Sequence, residues 1–344
     1  MDLPHSVLWV GSEGGMEADL VMRAEVPFEA IPAAGVHGVG LTRLPGNAWQ
    51  LWQGYQASRR ILRRFQPDVM FFTGGFVAIP MALAGRKIPS VLYVPDIEPG
   101  LALKTLSRLA SKIAVTEDDS HAYFPGHSNI RLTGYPTRPD LQYWSRESAQ
   151  EFFGLDAKLP TLLVYGGSKG ARSINRALLV HLPALLEEMQ VIHLSGQLDW
   201  QEVEAARGQL TAEHALRYRA YPYLHKEMGA ALNSADLVLS RAGASSLGEF
   251  PMLGLPAILV PYPYAWRYQY VNAQFLVRHE AAVMIKDENL PEQLLPTVFG
   301  LMRDPARRQR MQQSMHSLAR PQAAIQIAEL LLELTTAREK GSEA

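Results

Sequence analysis

The sequence contains no cysteine in its 344 residues, which excludes disulfides, thiolate catalysis and Cys-ligated metals and suits a reducing compartment. It also lacks an excess of either charge. Lys and Arg number 33 against 34 Asp and Glu, a net charge of −1, so no nucleic acid is expected as a partner. No apolar run approaches the roughly 18 residues that cross a bilayer. The opening stretch, MDLPHSVLWVGSE, has neither the basic start nor the long apolar core of a secretory leader. A soluble chain of the cytoplasm is the expectation. No HExxH, paired-aspartate or clustered-histidine pattern has metal-ligand spacing, and neither GxGxxG nor GxxxxGKS/T is present.

What is present is apolar enough for two ordinary cores: hydrophobic residues make up 47% and charged residues 19%, at roughly 150 residues per domain. Short β-branched and apolar runs alternate with longer helical patterns, which points to βαβ units and parallel sheets. The runs predict strands at Val7–Val10, Phe28–Ile31, Val69–Phe72, Ser90–Tyr93, Lys112–Val115, Thr161–Tyr165, Val191–Ser195, Leu237–Ser240 and Ala257–Pro261. Helices are predicted at Gln50–Phe65, Ser173–Met189, Gly243–Leu253 and Gln269–Arg278, with a terminal amphipathic helix from Gln322 to Thr336 before a polar tail, Arg338–Ala344. Pro67, Pro89, Pro160 and Pro256 each stand before a strand, where they stop the preceding helix. Gly134–Pro139 suits a linker. Both halves carry a strand ending in Gly-Gly (Gly74-Gly75 and Gly166-Gly167), so the fold class is read as α/β, two Rossmann-like doubly wound domains facing a cleft.

Three segments carry chemistry. In Leu162–Arg172 an apolar strand runs into a glycine-rich turn and then a helix. Its glycines admit a ligand close to the backbone, its free N–H groups favour an anion, and Ser168 adds a hydroxyl. A tight structural turn would look the same. In Ala235–Glu249 a strand ends at Ser240, and Gly243, Ala244, Ser245 and Ser246 open what reads as one helix, again suited to a diphosphate. Glu249 then falls one to two turns in, placed to accept ribose hydroxyls or simply to face solvent. Pro261–Ala273 is rich in sugar-stacking and hydrogen-bonding groups, Tyr264, Trp266, Arg267 and Gln269 among them, though aromatics also serve as packing.

In this order and spacing the three segments resemble the MurG-type glycosyltransferases of the GT-B fold, glycosyltransferase family 28. The likeness extends to Gly15–Val21, Pro67-Asp-Val69 with Gly74–Val77 and Pro80, and Gly134-Tyr-Pro-Thr-Arg138, and so covers nearly the whole chain. The resemblance implies transfer of N-acetylglucosamine from UDP-GlcNAc to a polyprenyl-linked acceptor, undecaprenyl-pyrophosphoryl-MurNAc-pentapeptide, without a cofactor or metal. It divides the chain into an acceptor- and membrane-facing domain (1–137), a UDP-sugar domain (138–320) and a helix packing back on the first (321–344). It assigns Ser168 to the diphosphate, Arg138 to the donor site, the backbone at Leu224-His225 to uracil, and Ala244, Ser245, Ser246, Leu247 and Gly248 to the α-phosphate. Glu249 takes the ribose, Gln269 the GlcNAc hydroxyls, and the loop with Gly74 and Gly75 the acceptor pyrophosphate. A non-catalytic UDP-sugar-binding homologue and a GT-B transferase for another lipid acceptor are the alternatives.

The sequence departs from that pattern at its front. It opens at the family's second strand, so the first strand and its glycine-rich loop are missing and Met1 is expected to be internal to a longer protein. An inverting transfer needs a group that takes the acceptor's proton. Asp96, where the family has Asn, and His37 are the candidates. Finally, Ala30 to Pro67 has no acidic residue but holds Arg43, Arg59, Arg60, Arg63 and Arg64 among Trp49, Trp52, Tyr55, Ile61 and Leu62. That pattern suits an anionic membrane surface, the cytoplasmic one here, or equally a core helix with a solvated basic face.

Overall fold

The computed structural model describes residues 6–15, 17–33, 44–167, 170–263 and 268–342. The chain divides into two compact units, the first comprising Met1–Val94, Pro99–Leu132 and Ile325–Ala344, the second Pro95–Glu98 and Thr133–Ala324. The short Pro95–Glu98 excursion into the second unit has no counterpart in the sequence reading.

The first unit runs β1 (Trp9–Ser12), α1 (Glu17–Arg23), β2 (Phe28–Ile31), α2 (Leu44–Phe65), β3 (Met70–Phe72), α3 (Ala78–Ala84), β4 (Ser90–Val94), α4 (Leu101–Leu106), β5 (Lys112–Val115) and β6 (Ile130–Leu132). All pairings are parallel. Strand β1 pairs with β2, and β3, β4, β5 and β6 form a second ladder in that order. Among the described residues no strand pairing joins the two ladders, which share one core. Strand β4 is buried throughout, which is why Ser90–Val94 reads as a continuous apolar run rather than an alternation. Ile31, Ile61, Phe72, Leu92, Ile113 and Val115 lead this unit's core.

The second unit contains α5 (Arg146–Phe153), β7 (Thr161–Tyr165), α6 (Arg172–Leu186), β8 (Gln190–Leu194), α7 (Trp200–Arg207), α8 (Ala212–Arg217), β9 (Tyr218–Tyr221), α9 (Met228–Ser234) and β10 (Leu237–Ser240). There follow α10 (Glu249–Leu253), β11 (Ala257–Leu259), α11 (Tyr268–Arg278), β12 (Ala282–Met284), α12 (Leu290–Met302) and α13 (Pro305–Ser317); the last helix, α14 (Ala323–Ser342), belongs from Ile325 onward to the first unit. The six strands form one parallel sheet in the order β12-β11-β10-β7-β8-β9. The chain enters at the middle, winds outward through β8 and β9, then crosses back to β10 and winds the other way. Strands β7 and β10 therefore flank the topological switch point, beyond whose carboxyl ends ligands bind in doubly wound sheets.

The structure corrects the sequence expectation at five elements. The helix expected over Gly243–Leu253 is a 3-10 turn, Ala244–Leu247, followed by the separate α10. The break falls at Gly248, whose φ −121° and ψ −54° are not helical, and Pro251, which has no N–H to donate, falls in the first turn of α10, where none is needed. The polar tail from Arg338 is helical to Ser342 as part of α14. Strands β6, β9 and β12, three or four residues each, have no counterpart in the sequence reading; at Ile130–Leu132 and Tyr218–Tyr221 an arginine interrupts the apolar run.

Candidate active site

The three chemistry-bearing segments follow three adjacent strands, β7, β10 and β11. Tyr165 and Ser240 lie opposite one another in the register, as do Ser240 and Leu259. In the first segment Gly170 N–H donates to Gly167 O at 2.9 Å, closing a tight turn. Gly170 has φ +74°, and a Cβ there would lie 2.3 Å from the Ser195 carbonyl oxygen, so the turn sits directly on the end of β8. No side chain fits that space or that backbone conformation. Ser168 and Lys169 lie outside the described residues.

In the second segment Gly243 precedes the 3-10 turn of Ala244, Ser245, Ser246 and Leu247. Ser246 closes it by donating from N at 3.0 Å and from Oγ at 2.6 Å to Gly243 O. Gly248 then starts α10, so Glu249 is that helix's first residue rather than a residue deep within a longer one. A Cβ on Gly248 would approach Tyr135 Cβ to 2.7 Å, so the segment Thr133–Arg138 packs onto this junction.

That packing builds a charged cluster. Arg138 Nε donates to Glu249 Oε1 at 2.7 Å, with the Glu249 side chain only 5% exposed. Burial raises the Glu249 carboxyl above the ordinary range and Arg138 opposes it. Tyr135 and Tyr165 both face this carboxylate, and burial first, then its charge, raises both phenols, Tyr165 strongly. The two residues assigned separately to the donor site are thus an ion pair, with one arginine and one carboxylate oriented by each other.

Asp96 belongs to the same unit. Its Oδ1 accepts a hydrogen bond from Asn272 Nδ2 at 2.8 Å. Asn272 is wholly buried and also donates to Ala242 O at 3.1 Å, while its Oδ1 accepts from Ile97 N–H at 3.1 Å. With all three groups committed, this amide fixes Asp96 against the strand end that leads into Gly243. Burial raises the Asp96 carboxyl and the Asn272 bond partly offsets it. His37 lies outside the described residues.

In the third segment Tyr264, Trp266 and Arg267 are outside the described residues. Gln269 Oε1 accepts from Tyr262 N–H at 2.9 Å, which aims the amide back across the loop. His225 is exposed; its N–H donates to Glu227 Oε2 at 3.2 Å and its ring meets Tyr223 edge-on at 4.7 Å. In the first unit Gly74 and Gly75 follow β3 with φ +113° and +83°, a turn whose N–H groups precede α3.

Residues that sequence reasoning passed over are Tyr135, Tyr165, Asn272 as the holder of Asp96, and Arg241 with Ser173 and Asp287. Asn272 and Asp96 are 176 positions apart, so no local pattern signals them. Arg241 stood inside a motif already identified and could have been found there.

On α2, Trp49 and Trp52 stack at 4.8 Å and remain 57% and 51% exposed. The Arg59 guanidinium lies 5.9 Å from the Tyr55 ring, and Arg59, Arg60, Arg63 and Arg64 are exposed. Ile61, by contrast, is buried in the core with Leu62 packed on it, so these two are not surface anchors. Beside β2, Trp52, Gln53, Gln56, Arg60 and Arg64 line a groove of about 820 Å³.

Both halves of the chain are similar to known proteins. The glycosyltransferase family 28 N-terminal domain matches residues 1–115 and the family 28 C-terminal domain residues 161–327. The chain is 40% identical over 374 residues to the UDP-N-acetylglucosamine--N-acetylmuramyl-(pentapeptide) pyrophosphoryl-undecaprenol N-acetylglucosamine transferase of Roseiflexus sp. (strain RS-1), covering 97% of this chain and 85% of that protein. The protein of the same name from Desulforamulus reducens is 38% identical over 325 residues, covering 92% and 87%. Among solved structures, Acinetobacter baumannii MurG superposes with a TM-score of 0.73 at 23% identity, covering 95% of this chain and 91% of that one.

Proposed function

The chain belongs to glycosyltransferase family 28 as a MurG-type hexosyltransferase, and on that premise we propose how its residues divide the reaction. The reaction is inverting transfer of N-acetylglucosamine from UDP-GlcNAc to undecaprenyl-pyrophosphoryl-MurNAc-pentapeptide, the step from lipid I to lipid II in peptidoglycan synthesis. The observation that carries it is the 40% identity to a transferase of that name over nearly the whole chain.

The donor occupies the carboxyl ends of β7, β10 and β11. Glu249, held by Arg138, accepts the ribose hydroxyls. The backbone of Ala244, Ser245, Ser246, Leu247 and Gly248 meets the α-phosphate, and Ser168 the diphosphate. The His225 backbone receives the uracil edge by exchanging its Glu227 contact, and Gln269 meets the GlcNAc hydroxyls. The acceptor's pyrophosphate lies on the turn at Gly74 and Gly75. Attack by the MurNAc hydroxyl oxygen on the anomeric carbon breaks the bond to UDP, and the hydroxyl proton passes to the Asp96 carboxylate. Its burial supports that role, since a raised pKa strengthens a general base. Leaving-group charge is met by N–H donors in a metal-free reaction. The basic, aromatic face of α2 meets the inner face of the cytoplasmic membrane.

A transfer assay with UDP-GlcNAc and a lipid I analogue in excess EDTA tests this reading. Wild type should turn over, and Asp96→Asn should lower kcat by roughly 10²-fold or more. Donor binding without transfer sinks the acceptor assignment, and EDTA inhibition sinks the metal-free chemistry. Full turnover by Asp96→Asn assigns that position to hydrogen bonding alone.

A further inference from the structure

Arg241 stands inside a donor-site motif, in a place where a cation invites assignment to the diphosphate. Its guanidinium is already committed. The side chain is 9% exposed. Nη1 forms an ion pair with Asp287 Oδ1 and donates to Val260 O at 3.1 Å, while Nη2 donates to Ser173 Oγ at 2.8 Å. Ser173 Oγ in turn donates to Asp287 Oδ1 at 2.7 Å, closing a triangle, and the Tyr262 ring lies 5.3 Å from Arg241 Cζ.

These partners come from every segment of the donor site. Arg241 follows β10 and leads into Gly243–Glu249. Ser173 is the second residue of α6, directly after the glycine-rich turn. Val260 and Tyr262 open the loop after β11, and Tyr262 N–H holds Gln269. Asp287 starts the short 3-10 turn after β12. One planar fork therefore touches all three loops, and its charge is balanced within the protein by Asp287. A lysine, a point charge on a flexible stem, cannot reproduce that geometry.

We propose that Arg241 is a positioning residue for donor binding and not a phosphate ligand: with Asp287 and Ser173 it ties the three loops at the ends of β7, β10 and β11 into one register. The inference rests on the donor site assigned above. The two alternatives differ in sign. If Arg241 were a phosphate ligand, removing Asp287 would release its charge and tighten UDP binding. If it is a tie, removing Asp287 loosens the loops and weakens binding.

The experiment measures UDP and UDP-GlcNAc affinity by calorimetry, donor KM, kcat and Tm for wild type, Arg241→Lys, Asp287→Asn and Ser173→Ala. Failure of folded wild type to bind UDP-GlcNAc overturns the donor-site reading itself. Given wild-type binding, Asp287→Asn and Arg241→Lys should each weaken UDP by roughly tenfold, and Ser173→Ala by a few fold, with donor KM rising in parallel. Tighter or unchanged UDP binding in Asp287→Asn overturns the proposal. So does a set of variants with lowered Tm and unchanged donor KM, the mark of a purely structural role. Should Asp287→Asn fail to fold, Ser173→Ala carries the same decision, because loss of one hydroxyl leaves a phosphate-ligating arginine intact.

Discussion

At the scale of single residues, the pair Arg138–Glu249 sets the pH behaviour of the donor site. Burial raises the Glu249 carboxyl and Arg138 pulls it back down. The sign follows directly: with Arg138 removed, only the upward push remains, so Glu249 holds its proton to higher pH. Arg138→Met is therefore expected to move the acid limb of donor kcat/KM upward, because the ribose-accepting carboxylate forms only above its pKa. The lone buried carboxylate should also cost about 1–3 kcal/mol of stability at neutral pH. Both are read from a kcat/KM profile against pH and a denaturant titration; an unmoved acid limb means Glu249 does not hold the ribose as an anion. Arg138 and Glu249 were each legible in the sequence, the first beside Gly134-Tyr-Pro and the second at the end of a small-residue motif. Their pairing was not, since they are 111 positions apart and ion pairs leave no local period. The same holds for Arg241 with Asp287 and for Asn272 with Asp96.

At the scale of elements, the strands that build the donor site were readable because both faces of a parallel sheet are covered. Thr161–Tyr165 and Leu237–Ser240 are apolar runs that coincide with β7 and β10. The single helix expected after β10 is interrupted, because its small residues and periodicity continue smoothly through a break at Gly248. Gly248 has φ −121° and ψ −54°, allowed to other residues, so conformation alone does not demand glycine. Space does: Tyr135 Cβ, Cγ and Cδ1 all stand within 3.0 Å of the missing Cβ, and a Cβ atom tied to its own backbone cannot swing away. Gly248→Ala is expected to cost about 1–3 kcal/mol, as overpacking does, and to weaken UDP binding by shifting Glu249. Gly243→Ala makes the control for stability, since its φ of −67° is ordinary and nothing lies within 4 Å of its missing Cβ. Equal melting temperatures for the two variants would remove the Tyr135 contact from the account of why the helix starts where it does.

At the scale of the whole molecule, a net charge of −1 hides a one-sided distribution. The cations of α2 stand on a stretch free of acidic residues, and among the described residues Arg64 alone of the four exposed arginines forms an ion pair, with Glu29. Beside them Trp49 and Trp52 hold their stacked rings toward solvent, an arrangement costly in water and favourable at a lipid headgroup boundary. Among the described residues no helix is long and apolar enough to cross a membrane. Each arginine near an anionic leaflet contributes about 1 kcal/mol, screened within a Debye length. Partitioning onto phosphatidylglycerol vesicles should therefore be strong at low salt, weaken as salt rises, and be nearly absent on phosphatidylcholine. Replacing Trp49 and Trp52 together by Ala should lower the partition coefficient roughly tenfold through lost apolar burial, with the salt slope kept. Replacing Arg59 and Arg60 by Gln should instead flatten the salt slope. Two independent signals, one apolar and one electrostatic, are what stable surface anchoring requires. Vesicle binding that ignores lipid charge, or that survives loss of both tryptophans, would assign α2 to packing alone and leave the lipid-borne acceptor to be met elsewhere on the chain.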